Sequence, residues 1–409
     1  MKSRGEDLAI FGGPPAFSEA LHVGRPNVFD RARFLDRVNK MLDRRWLTND
    51  GPLVQEFEQR LADICAIDHC IAVCNATLGL ELLIRACGLT GEVIVPSFTF
   101  VATVHALQTQ SIVPHFCDIG RDTHSIDPRR IERSLTSRTS AILAVHLWGR
   151  IHDVEILADL AARHGLTLLF DAAHAFGCSY QGVSAGGFGR AEVFSFHATK
   201  FLNTFEGGAI ATNDGDLAGR LRLMRNFGFR DFDSVVSLGT NAKMSEVSAA
   251  MGLTALESLD RVVACNRANH EQYAELLNNL PGVKLLAYDE TESCNYQYVV
   301  VEIDERGVGL NRDELMRILW AENVLARRYF FPGCHRMEPY RALYPEAPDR
   351  LPVTEQVCSR VLQLPTGTAV GPDEVAVIGS ILRLVVDEAP KVKRLLEKES
   401  RDSEVTSVP

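Results

Sequence analysis

No Cys-x-x-Cys pair occurs in this 409-residue chain, although it carries ten cysteines. Cys65, Cys70 and Cys74 cluster, but no histidine stands at finger spacing from them. Buried free thiols are therefore expected there, and no metal site. Long apolar runs are missing as well. Met1 to Gly13 sets Lys2, Arg4, Glu6 and Asp7 around a four-residue apolar stretch, which reads as neither a secretory leader nor a membrane span. A reducing cytoplasm is the expected home. Positive charge is in deficit, with 43 Lys and Arg against 53 Asp and Glu and a net charge of −10. That balance argues against nonspecific binding to nucleic acid or to anionic membranes. Any anionic ligand must then be held by local groups. Repeats and low-complexity tracts are absent, and no Gly-x-Gly-x-x-Gly follows the first strand. Gly186-Gly187-Phe188-Gly189 falls between strands, late in its domain, so a nicotinamide-dependent oxidoreductase lacks its fingerprint.

What is present is an ordinary globular composition, 46% hydrophobic and 23% charged, in a chain long enough for one large domain and a smaller one. Residues 1–53, with Gly12-Gly13-Pro14-Pro15, scattered arginines and a helical pattern from Arg31 to Leu42, read as an arm that packs on something else. From residue 54 to 264 short apolar runs alternate with helical stretches. Candidate strands are Cys70–Cys74, Val93–Val95, Ile112–Cys117, Ala141–Val145, Thr167–Phe170, Val193–Phe196 and Ala209–Thr212. Candidate helices include Thr77–Cys87, Thr99–Gln108, Pro128–Ser134 and Val154–His164, the last capped by Gly165. Such alternation predicts an α/β fold, a mostly parallel seven-stranded sheet covered by helices on both faces. Residues 265–387 read as a smaller C-terminal α/β domain, with Val299–Ile303, a helix near Arg312–Glu322 and the run Arg327–Phe331. Residues 388–409 form a charged tail whose end is expected to be disordered.

Chemistry concentrates where apolar runs stop. Leu166 to Phe170 ends in Asp171, and Ala191 to Phe196 leads through a polar turn to Lys200. A carboxylate and a lysine offered from neighbouring strand ends suit pyridoxal phosphate. The lysine would form the Schiff base, and the carboxylate would keep the pyridine nitrogen protonated so that the ring accepts electrons. Plainer alternatives stand beside each residue: a solvated lysine, an aspartate that caps the Ala172 segment, a satisfied core histidine at His174. Cys74-Asn75-Ala76-Thr77 joins a strand to a helix, where backbone amides and the Thr77 hydroxyl could bind the cofactor phosphate, or Asn75 or Thr77 could be a simple N-cap. Ser195 is a further phosphate donor. Phe98 and Phe100 follow another strand, and one of them could stack on the ring or both could be core.

With these motifs in view, the chain resembles the DegT/StrS-type nucleotide-sugar aminotransferases, pyridoxal phosphate enzymes of the aspartate aminotransferase (type I) fold. The likeness runs from about Phe11 to Leu384. It is most similar to TDP-4-keto-6-deoxyglucose 4-aminotransferases of desosamine-type antibiotic pathways, through Val23-Gly24-Arg25-Pro26-Asn27, Ala144-Val145-His146-Leu147-Trp148-Gly149-Arg150 and Tyr329-Phe330-Phe331-Pro332-Gly333-Cys334-His335. The resemblance implies Lys200 as catalytic lysine and Asp171 as partner of the ring nitrogen. It implies His174 beside the ring, Phe100 stacked on it, and Asn75, Ala76, Thr77 and Ser195 at the phosphate. Asn241 would reach the phosphate from a neighbouring subunit of a homodimer. For substrate, it implies Trp46, Asn49, Lys243, Arg328, Tyr329, Phe330 and His335. The donor would be L-glutamate and the acceptor a TDP-4-ketosugar. Rival readings are an aminotransferase acting at C3 and a non-catalytic regulator of the same fold, for which no DNA-binding segment or basic face is present. Relatives that dehydrate sugars carry histidine where this chain keeps Lys200. Phe205 stands where many members have glycine.

Overall fold

The computed structural model describes the backbone of residues 2–406 and side chains up to residue 398. All seven candidate strands form one sheet: β1 (His69–Val73), β2 (Glu92–Pro96), β3 (Val113–Cys117), β4 (Thr139–Val145), β5 (Thr167–Asp171), β6 (Ala191–Ser195) and β7 (Gly208–Thr212). Their order is β1-β7-β6-β5-β4-β2-β3. β7 runs antiparallel to both neighbours, and the remaining pairs are parallel. Two antiparallel pairings in succession restore direction, so β1 points the same way as β5 and β6. Their C-terminal ends therefore meet on one side of the sheet.

The strands read as unbroken apolar runs because both faces are covered, yet a period of two still sorts them. Leu168 and Phe170 point into one core with Ala72 and Phe194. Leu169 points into the other with Ile71, Val73 and Val193. The first core is closed by α2 (Pro52–Cys65), α6 (Val154–His164) and α8 (Glu246–Leu256), and the second by α3 (Ala76–Ala86), α4 (Val101–Gln108) and α7 (Gly215–Arg225). The sequence patterns for α5 (Pro128–Ser134) and α6 match the observed bounds, because Pro at the first turn and Gly165 at φ 64 mark those ends unambiguously.

The smaller unit is a three-stranded antiparallel sheet, β8 (Val283–Leu285), β9 (Val299–Ile303) and β10 (Val361–Leu364), backed by α9 (Leu259–Leu277), α10 (Arg312–Ala321) and α11 (Pro372–Asp387). Arg327–Phe331 is irregular, with a single bridge from Arg327 to Gln363. The stretch Cys334 to Leu351 leaves this unit and packs on the large sheet, where Tyr340 is fully buried beside Phe116.

The first 53 residues pack in two pieces. Near the start, Glu322 of the small unit accepts the amides of Ala9 and Ala16, and Leu21–His22 pairs with Val324–Leu325. Further on, α1 (Arg31–Arg44) lies on α8 of the large unit, held by Arg33 and Arg37 to Glu257. The charged tail is helical, α12 (Ala389–Thr406), and buries Val392 and Leu396 in the small-unit core. A hydrophobic pair on one face of the tail gave it somewhere to dock. The expectation of disorder applies to the end of the tail 388–409; the helix runs through Thr406, and residues 407–409 lie outside the described residues. Among the described residues, no helix is long and apolar enough to cross a membrane.

Candidate active site

The shared C-terminal edge of β1, β5 and β6 opens into a cavity of about 270 Å³. Asp171 ends β5 and Ser195 ends β6, and both line it. Lys200 reaches it from the turn after Ser195. The first turn of α3 supplies Ala76 and Thr77, and Phe100, His174, Tyr298, Tyr329 and Phe330 complete the wall. Asp171, Lys200, the helix start and Phe100 thus share one pocket.

Asp171 is held from two sides, at the start of a turn and not of a helix. Its Oδ1 accepts the Ala173 amide at 3.0 Å, as a cap does, and its Oδ2 accepts the Thr103 hydroxyl at 2.7 Å. Burial pushes its carboxyl pKa up, against those two hydrogen bonds and the Lys200 charge. Burial brings the Lys200 amine down to about 8 although Asp171 pulls the other way. The His174 imidazole is held well below its ordinary value by burial and by Lys200, so it is neutral.

The same cavity reaches the N-terminus of α3, a nest where an anion could be held. The first turn of a helix leaves its amides without intrahelical acceptors. Asn75 is the N-cap, its Oδ1 accepting the Leu78 amide at 2.9 Å, so its side chain is spent on the helix and the amides of Ala76 and Thr77 face the cavity. Gly208 starts β7 between Val73 and Ser195, directly over this nest. A Cβ there would stand 2.8 Å from the Ala76 nitrogen. Glycine keeps the cradle open.

These features fit pyridoxal phosphate. A buried carboxylate with no ion-pair partner among the described residues matches a protonated ring nitrogen, free helix amides match a phosphate, and Lys200 lines the same cavity. The structure also sorts the two aromatics: Phe98 is fully buried core, whereas Phe100 is 58% exposed and lines the cavity.

The substrate candidates divide. Tyr329 and Phe330 line the cavity, with Phe330 stacked on Trp148 at 5.5 Å. His335, expected at the sugar end, is instead fully buried behind the wall, bonded to Ser97 Oγ at 2.6 Å and to Glu355. It follows a turn that carries the chain back into the large sheet. Arg328 is bound to Asp313 at 2.9 Å and stacks over Phe331 at 4.2 Å, away from the cavity. Asn49 and Lys243 line a separate depression with Arg222 and Arg225. Asn241 is exposed next to it, bridged to Asn226, and Trp46 is exposed on the arm. Phe205 has φ 65, a left-handed conformation that suits glycine, and its ring meets Phe34 edge-on at 5.7 Å.

Two contacts escaped the sequence reading. Thr103 sits in the first turn of α4, where nothing in the spacing distinguishes it from core. Tyr298 comes from the small unit, just before β9, and its Oη lies 3.3 Å from Lys200 Nζ. Only packing of the two units brings it there.

Comparison with known proteins agrees with this geometry. Residues 29–383 match the DegT/DnrJ/EryC1/StrS aminotransferase family. The dTDP-4-amino-4,6-dideoxy-D-glucose transaminase of Escherichia coli is 34% identical over 367 residues, 89% of this chain and 98% of that protein. The crystal structure of DesI in the presence of its TDP-sugar product superposes with a TM-score of 0.91 at 52% identity, covering 95% of this chain and 98% of DesI. That of S. venezuelae DesV in complex with a ketimine intermediate gives 0.81 at 31% identity, covering 87% and 95%. The chain belongs to the DegT/DnrJ/EryC1/StrS aminotransferase family.

Proposed function

We propose that the chain is a pyridoxal-phosphate-dependent nucleotide-sugar aminotransferase. It transfers an amino group from L-glutamate to C4 of TDP-4-keto-6-deoxy-D-glucose, giving TDP-4-amino-4,6-dideoxy-D-glucose for the aminosugar of a glycosylated natural product. The observation that carries this reading is a single cavity walled by Lys200, Asp171 and the free amides of α3. The sugar rests on likeness to the E. coli transaminase and to DesI.

When bound, pyridoxal phosphate supplies a carbonyl that takes up an amine and a ring that accepts the electrons of a broken C–H bond. The rest falls to the protein. Asp171, fixed by Thr103 and the Ala173 amide, would hold the ring nitrogen in its protonated form. Ala76, Thr77 and Ser195 would hold the phosphate, Phe100 one ring face, and His174 the ring edge. Lys200 Nζ takes the proton from Cα of the donor and later delivers one to C4 of the sugar. An amine near pKa 8 is suited to both directions at neutral pH.

The working unit in this reading is a homodimer. Phe232 is 98% exposed, Leu238 83% and Val235 59%, a concentration of apolar side chains that a second copy would cover. Asn241 and Lys243 lie beside that loop, so each subunit would offer them, with Trp46 and Asn49, to its neighbour's cavity. Incubating the purified protein with glutamate and TDP-4-keto-6-deoxyglucose, then locating the new amine by NMR, tests the assignment. No product from this sugar, with amination of a TDP-3-ketosugar instead, would move it to the other aminotransferase class.

A further inference from the structure

Hydrogen bonds around Lys200 have a fixed direction that starts at a backbone amide. In the turn Leu147–Gly149, Trp148 is fully buried at φ 64, and its N–H donates to His174 Nδ1 at 3.2 Å. A backbone amide can only donate, so Nδ1 carries no proton. Neutral His174 then bears its hydrogen on Nε2. Nε2 lies 3.2 Å from Tyr298 Oη, and its N–H therefore donates to the phenol oxygen. With that oxygen accepting from His174, the Tyr298 O–H is left to donate, and Lys200 Nζ lies 3.3 Å away. A neutral amine accepts that hydrogen and leaves every member of the chain satisfied. An ammonium cannot accept, and the phenol hydrogen would then have only the open cavity to turn to.

We propose that Tyr298 is a positioning residue for Lys200: the Trp148 amide sets the His174 tautomer, His174 sets the direction of the Tyr298 hydroxyl, and that hydroxyl favours the neutral form of the lysine amine. The relay crosses the two structural units, because Trp148, His174 and Lys200 belong to the large sheet domain and Tyr298 to the small one. The small-unit segment is itself clamped onto His174. Asn295 Nδ2 and Gln297 Nε2 donate to the His174 carbonyl at 2.8 and 2.7 Å, and the Tyr288 hydroxyl lies 2.9 Å from the Trp148 carbonyl.

Other titratable groups near the amine do not replace this contact. Asp171 faces it as an opposing charge that favours the ammonium, and Tyr329 flanks Tyr298. His197 and Glu206 line the same cavity and are exposed. Burial lowers the amine, and the directed hydroxyl acts in the same sense.

The inference rests on Lys200 being the amine that acts in the proposed reaction, and its test is independent of turnover. Competitive acetylation of the cofactor-free full-length protein across pH, with Lys200 quantified by peptide mass spectrometry, gives the midpoint at which the amine loses its proton. Tyr298→Phe keeps the ring and removes the hydroxyl. The expected result is a midpoint raised by about half to one pH unit. His174→Gln offers an amide oxygen to Trp148 and an N–H to Tyr298, so it should retain the wild-type midpoint, whereas His174→Leu should raise it as Tyr298→Phe does. A midpoint unchanged or lowered in Tyr298→Phe, or raised equally by His174→Gln and His174→Leu, overturns the relay. Neither result would bear on whether the protein transaminates, which the loss of activity on removing Lys200 decides separately.

Discussion

Lys200 and Asp171 illustrate how much a single position can carry. An amine and a carboxylate placed at strand ends lose water on one side and gain partners on the other, and burial shifts both groups toward their neutral forms. Lys200→Ala is expected to keep cofactor binding, because the nest and Asp171 remain, while kcat falls more than about a thousandfold. Absorbance of the bound cofactor alongside a turnover assay checks both halves, and retained turnover would remove the lysine from the reaction. His335 shows the reverse case. Its motif placed it at the substrate, yet its ring is consumed by Ser97 and Glu355 inside the protein.

At the level of elements, the site depends on where three strands stop. The nest exists because β1 ends beside β6 with only β7 between them, and because β7 begins with a glycine. Gly208→Ala should overpack this junction, costing about 1–3 kcal/mol of stability. It should also weaken cofactor binding by about tenfold or more, since the added carbon intrudes on the Ala76 amide. Equilibrium titration with the cofactor reads the second effect, and unaltered affinity would show the phosphate sits elsewhere. The helix that carries the nest was legible in its bounds to within one residue, since Asn75 is an N-cap by chemistry as well as by position.

For the whole molecule, the contact between the two units is what completes the pocket. Glu302 on β9 is part of that contact, bonded to His124 at 3.1 Å and to Arg121 of the large unit. Burial alone would raise its pKa, but His124 and Arg121 outweigh burial and hold it down to about 2. A depressed folded-state pKa means the stabilisation is complete above its ordinary value of 4.5 and is lost as pH falls from there through about 2. Urea unfolding should show the wild type losing about 2 kcal/mol more than Glu302→Gln between pH 7 and pH 3. Equal losses would mean the ion group contributes nothing. The proposed dimer has its own test. At limiting cofactor, mixed dimers of a Lys200→Ala chain with an Asn241→Ala chain should be more active than either parent, because one of their two sites is then whole. Activity no higher than the parents' would confine Asn241 to its own subunit.

The amino-acid sequence by itself determined the sheet, the helices over it, and the residues at its working edge. Those features are local: apolar runs of strand length, caps, glycine and proline at turns, and a carboxylate or lysine where an apolar run stops. Tertiary structure alone decided which side chains finally face the cavity. Tyr298 came in, Thr103 stayed behind the wall as the partner of Asp171, Asn75 lines the cavity while its side chain caps α3, and Arg328 and His335 were taken by Asp313 and Glu355. The physical reason is that a polar side chain bonds to whatever partner packing brings within about 3 Å. That partner can be hundreds of residues away in the chain, where no periodicity or spacing records it.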